Sequence, residues 1–122
     1  MRLYVYVLEG KDLHVKNCYV KVHVGKHKSK TKILKKPTTN LVWNEEFVFR
    51  VYDMDEELVV SVFNHDHDHH DSGLFHGSGD LVGRVRIPIW SVLVEDNHTL
   101  PPTWFCLERH KTGKYISKDS GN

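Results

Sequence analysis

The segment Cys18-Tyr19-Val20-Lys21-Val22-His23-Val24 alternates about Tyr19, Val20 and Val22, and Gly25 ends it. A period of two is that of a strand with one face in a core and the other toward solvent. The same signal recurs on both sides of it. Arg2 to Leu8 alternates until Glu9-Gly10-Lys11-Asp12 breaks the pattern, and Ser29 to Leu34 reads as a more polar third strand. Glu45 to Val51 places Phe47 and Phe49 on one face and Val48 on the other. Leu58 to Phe63 is a continuous β-rich run, as expected of a strand central in its sheet. Leu81 to Ile87 and Trp104 to Leu107 complete the set, and only Ile89 to Glu95, after Pro88, offers a turn of helix. Short strands at this spacing predict an all-β antiparallel sandwich.

At 122 residues the chain has room for one domain and no second core. Trp43, Phe47, Phe49, Trp104 and Tyr19 are its expected core aromatics. No apolar run nears the ~20 residues that span a bilayer. The opening Met1 to Val7 alternates and lacks the features of a secretion signal, which predicts a protein inside the cell. Cys18 and Cys106 lie far apart in apolar segments, and both are read as reduced, structural thiols. The sequon Asn97-His98-Thr99 is discounted on the same ground.

The net charge of +1 conceals two blocks of opposite sign. Residues 10 to 40 carry nine lysines against the single acid Asp12, whereas residues 53 to 80 carry eight acids and no lysine or arginine. A basic surface points to anionic lipid or nucleic acid, and an acidic loop to a cation. Four of the eight acids belong to Asn64 to Asp80, a stretch of His, Asp, Gly and Ser in which only Leu74 and Phe75 are apolar. A loop of such length in a small domain is either functional or disordered. Gly10 to Asn17 forms the other prominent loop.

Leu8-Glu9-Gly10-Lys11-Asp12-Leu13 followed by Tyr19-Val20-Lys21-Val22, then Trp43-Asn44-Glu45-Glu46-Phe47 and Gly79-Asp80-Leu81-Val82-Gly83, resemble C2 domains in order and spacing. The likeness runs from residue 1 to about residue 108 and is nearest to plant C2 domains, such as those joined to a GRAM domain. It implies an eight-stranded C2-type sandwich whose loops at one end bind Ca2+ and membrane. Starting at this strand implies the permuted (type II) topology, in which the last strand closes the sheet beside the first. That strand is expected to be missing or very short. The domain is accordingly set at 1–108, with 109–122 a polar tail in which Lys114 to Lys118 is the nearest candidate strand.

Carried over position by position, the resemblance retains Asp66 and Asp80 as Ca2+ ligands and places Asn17 and Asn64 where aspartates are usual. His14-Val15-Lys16 supplies no acid where another ligand is expected. Ca2+ affinity grows with the number of carboxylates, so binding is expected to be weak or absent unless Asp68 and Asp71 fold back to complete the site. The five loop histidines, 65, 67, 69, 70 and 76, either serve a transition metal or are solvated side chains.

Lys28, Lys30 and Lys32 are expected on one strand face with Lys21 on the neighbouring strand. The family's phosphoinositide-binding cluster matches Lys21, Lys30 and Lys32, with His23 in place of a further lysine. The other reading is edge protection by lysine. Leu74 and Phe75 either wedge into the headgroup layer or fold back on the sandwich.

The function expected is a peripheral, cytoplasmic membrane-targeting module. It binds anionic phospholipid, a phosphoinositide among the candidates, with weak Ca2+ dependence. The alternatives are a protein-interaction domain without lipid, or a histidine-rich transition-metal site. Nucleic acid is not an expected partner. No enzyme is expected: Gly77-Ser78-Gly79 is not a nucleophile elbow, and neither a P-loop nor GxGxxG occurs.

Overall fold

A computed structural model describes residues 1–35, 40–65 and 79–109. The strands are β1 (Arg2–Lys11), β2 (Cys18–Val24), β3 (His27–Lys30), β4 (Asn40–Arg50), β5 (Glu57–His65), β6 (Gly79–Pro88) and β7 (Glu108–Arg109). One short helix, α1 (Ile89–Leu93), and a single 3-10 turn at Asp96–His98 follow β6. All pairings are antiparallel. β1 pairs β4 in a two-stranded sheet, and the other five run in the order β3-β2-β5-β6-β7.

The alternation seen in the sequence divides each strand between two environments. Val20, Val22 and Val24 of β2 and Leu58 and Val62 of β5 meet Leu3, Val5, Leu41, Trp43 and Phe49 of the smaller sheet in one core, with Ile89 of α1. Fully burying an aliphatic side chain of this size stabilises by about 1.5–3 kcal/mol. β5 lies between β2 and β6, as its uninterrupted apolar run predicts. Its outward residues Val59 and Ser61 are also buried, although the second sheet is on the other side.

Among the described residues β1 pairs on one side only, with β4. Beside it lies a cavity of about 1010 Å³ lined largely by apolar side chains, among them Val5, Val7, Val60, Val85, Ile87 and Leu107. The expected closing segment, Lys114 to Lys118, lies outside the described residues, as does all of 110–122.

Three expectations need correction. The seventh strand is Glu108–Arg109, not Trp104 to Leu107. Trp104 is half exposed, with the ammonium of Lys11 5.7 Å from its ring centroid, so it is not a core residue. Cys106 is exposed, whereas Cys18 is buried. Thr103-Trp104-Phe105-Cys106-Leu107 sends only Leu107 against the core, and among the described residues no neighbouring strand fixes its alternation.

The third strand also starts and ends earlier than Ser29 to Leu34, and the reason bears on the lysines. Val24 and His27 pair across a two-residue turn, Gly25-Lys26. Gly25 holds φ at +58°, and a Cβ there would meet the Glu56 carboxylate at 2.7 Å. The tight turn fixes His23 opposite Lys28 and Lys21 opposite Lys30.

Further on, Cys18 bridges Leu34, so three steps along β2 answer four along its partner. The extra residue makes a bulge. There the hydroxyl of Thr31 accepts from the Val20 N–H at 2.9 Å and donates to the Lys32 carbonyl at 3.0 Å. Lys32 therefore lies beyond the strand rather than in line with Lys28 and Lys30. Its N–H reaches Glu45 and its carbonyl accepts from Trp43 Nε1, both at 3.1 Å.

Thr31 is buried, so losing its hydroxyl would strand the Val20 N–H. Thr31→Val is expected to lower stability by about 1–3 kcal/mol in urea unfolding, and Thr31→Ser to cost less. A larger loss for Thr31→Ser than for Thr31→Val would show that the methyl group, not the hydrogen bond, holds the bulge.

Candidate functional site

Two regions carry the predicted functional residues. At one end of the larger sheet, Asn17, Asn64 and Asp80 come together. The Asn17 N–H donates to Asn64 Oδ1 at 3.4 Å, and the His65 N–H donates to the Asn17 carbonyl at 2.6 Å. Asn64 and Asp80 are direct cross-strand neighbours on β5 and β6. Of the three, only Asp80 brings a carboxylate, and Asn64 Oδ1 already has a donor. Among the described residues no group of three or more His, Cys, Asp or Glu is placed to hold a metal ion. Asp66, Asp68 and Asp71, the histidines 67, 69, 70 and 76, and Leu74 and Phe75 lie outside the described residues.

The second region is the outer face of the larger sheet. Tyr19 stacks on its cross-strand neighbour Phe63, with ring centroids 5.3 Å apart and planes within 13°. The ammonium of Lys21 lies 5.2 Å from the Phe63 centroid, and that of Lys30 lies 5.7 Å from Tyr19. The aromatic pair is thus a platform under two lysines, each ring face offering electron density to a cation. Tyr19 is buried as expected, but its ring serves this outer face rather than the inter-sheet core.

His23 stands between Lys28, opposite it on β3, and Val59 on β5. Burial, followed by the charges of Lys28, Lys21, Arg84 and Arg86, holds its imidazolium form below the usual histidine range. Arg84 and Arg86 of β6 were not singled out by the sequence reading. Their signal was present in the alternation of Arg84-Val85-Arg86, but no family motif falls there.

The C2 domain family pattern matches residues 1–107. The chain belongs to the C2 domain family. A C2 and GRAM domain-containing protein of Arabidopsis thaliana is 35% identical over 127 residues, covering 99% of this chain and 11% of that protein. Multiple C2 domain and transmembrane region protein 6 of the same plant is 32% identical over 117 residues, covering 88% and 11%.

Among solved structures, a pair of C2 domains from Extended-Synaptotagmin 2 matches with a TM-score of 0.72 at 25% identity. That match covers 88% of this chain and 34% of the other. The C2 domain thus spans about a tenth of the length of these curated relatives. Among its described residues no helix is long and apolar enough to cross a membrane.

The cationic surroundings of His23 have a measurable consequence. Its ring resonances are expected to titrate below the free-histidine value of about 6.5. Lys28→Gln should move that midpoint upward. An NMR titration with no movement would mean that Lys28 does not sense the ring.

Proposed function

We propose that this C2 domain docks peripherally on membrane surfaces by binding anionic phospholipid through Lys21, Lys28 and Lys30, with Lys32 at the edge of that face. The observation that carries the reading is the direct opposition of Lys21 and Lys30 across β2 and β3. Like charges directly opposite in a sheet are destabilising. The Tyr19–Phe63 platform returns only about 0.5–1 kcal/mol per cation at exposed positions. Folding alone gains little from placing two ammonium groups side by side. An anionic surface changes that balance, since each lysine near it contributes about 1 kcal/mol. Family membership supports the same reading, because synaptotagmin-like C2 domains are generally membrane-targeting.

Ca2+ has a small part in this proposal. Asp80 is joined by two neutral amides where further carboxylates would raise affinity, and Asp66, Asp68 and Asp71 remain candidate ligands. Leu74 and Phe75 are the proposed insertion tip.

In vesicle sedimentation with phosphatidylserine, Lys30→Glu combined with Lys32→Glu is expected to weaken binding roughly thirtyfold and flatten its salt dependence. Unchanged binding would remove the lysine face from the account. Calorimetry should give a Ca2+ Kd of ~10⁻⁴ M or weaker. A sub-micromolar value would mean that the loop aspartates complete a site with Asp80.

A further inference from the structure

The smaller sheet has an outer face of a different kind. Its register turns Leu3, Val5, Leu41, Trp43 and Phe49 into the core, and so sends the residues between them outward. Three successive outward rungs are Arg2 opposite Arg50, Tyr4 opposite Val48, and Tyr6 opposite Glu46. Tyr4, Tyr6 and Val48 are each more than half exposed. Apolar surface runs on past these rungs, with Leu8 and Val42 exposed at one end and Met1 and Tyr52 at the other. An exposed apolar residue standing alone is ordinary, whereas a contiguous strip marks a surface that meets something.

The charges of this strip are sorted along it. Arg2 and Arg50 stand side by side, and among the described residues neither has an ion-pair partner. Like charges directly opposite destabilise a sheet. Glu46 accepts a hydrogen bond from the Tyr6 hydroxyl, and a carboxylate has lone pairs enough to take a guanidinium as well. Arg50 does not reach it within the chain, because the two lie on one face of β4 about 14 Å apart along the extended strand. An anionic membrane laid on this strip would meet Glu46 as well as the arginines. Positive at one end, negative at the other and apolar between, the strip is complementary to its own reverse.

We propose that the outer face of the β1–β4 sheet is a contact surface for a second copy of this chain, related to the first by a two-fold axis that crosses the Tyr4–Val48 rung. An axis between the two sheets and perpendicular to their strands reverses strand direction, so the rung on one side of the centre meets the rung on the other. Tyr4 and Val48 then pack against their own counterparts. Arg50 comes over Glu46 of the second copy, and Arg2 over its Tyr6 ring, on which a guanidinium stacks well. Symmetry repeats both contacts. Farther out, the Leu8 end of one copy meets the Met1 and Tyr52 end of the other. The outer face of each larger sheet lies beyond the core and stays uncovered, so the inference does not depend on whether the lysines there bind lipid. The ten residues of β1 make a strip about 34 Å long and, with β4, about 10 Å wide. That is below the ~800 Å² per partner of a standard interface, so the pair is weak, with a Kd of roughly 10–100 µM, and loosens as salt rises.

The test is sedimentation equilibrium of the 122-residue chain from ~1 µM to ~1 mM, a range that spans this Kd. The wild type should pass from monomer to dimer. Arg50→Glu and Glu46→Arg should each weaken pairing about tenfold or more, because each sets like charges face to face. Mixed in equal amounts, the two variants should pair again, since every glutamate of one then meets an arginine of the other. Tyr4→Ser should weaken pairing at the centre without a change of charge. Urea unfolding shows that each variant is folded, and Tyr4→Ser carries the test should a charge reversal fail to fold.

In NMR spectra of the wild type taken on dilution, amide shifts should centre on Tyr4, Tyr6, Glu46 and Val48. A wild type that stays monomeric at the highest concentration overturns the proposal. Shifts of the same amides on phosphatidylserine nanodiscs would then give the face to a membrane instead. A dimer that ignores both charge reversals and Tyr4→Ser, and shows no gain on mixing, is made by another surface and overturns the proposal equally.

Discussion

The pairing of β2 with β5 sets the position of nearly everything else. Seven consecutive residues match, from Cys18 against Asn64 to Val24 against Leu58. That register sends Val20, Val22, Val24, Leu58 and Val62 into the core, and Tyr19, Lys21, His23, Ser61 and Phe63 to the outer face. It also brings Asn17 to Asn64 at the loop end. A slip of one residue would exchange the two faces of β2, placing lysines in the core and valines in water. Burial of the valines therefore holds the cations where they are, and the core and the basic surface are two results of one alignment.

Holding cations there has an internal cost. Lysine opposes lysine across β2 and β3, and His23 sits among four positive side chains, Lys21 one of them. The protein tolerates this through partial compensation: a stacked aromatic pair under Lys21 and Lys30, and solvent around the outer ammonium groups. Such local conflict with stability is expected where a surface is shaped for a ligand rather than for the fold.

The strands were legible because their period of two survives in single residues. Arg2 to Leu8 and Cys18 to Val24 announced strands in this way, Leu58 to Phe63 did so by an unbroken β-rich run, and the motifs around Trp43 and Gly79 announced the family. Where one-dimensional pattern failed, a third partner decided the outcome. The bulge at Thr31 depends on a side-chain hydroxyl standing in for a ladder acceptor, which no hydropathy pattern encodes. Trp104 and Cys106 looked like strand residues, but among the described residues alternation there has no neighbouring strand to enforce it. The convergence of Asn17, Asn64 and Asp80 followed from family positions. The joining of Lys21 and His23 to Arg84 and Arg86 needed cross-strand register, since some sixty residues separate them.

The contrast between the two cysteines has a practical side. Burial pushes the Cys18 thiol up to about 12. At neutral pH its reactive thiolate is then only on the order of one part in 10⁵, and solvent does not reach it. Cys106 is exposed two residues before β7, the strand that borders the cationic sheet. The native chain thus offers a single reactive handle among its described residues. A polarity-sensitive fluorophore attached there by ordinary thiol chemistry would report on events at that border without any engineered cysteine.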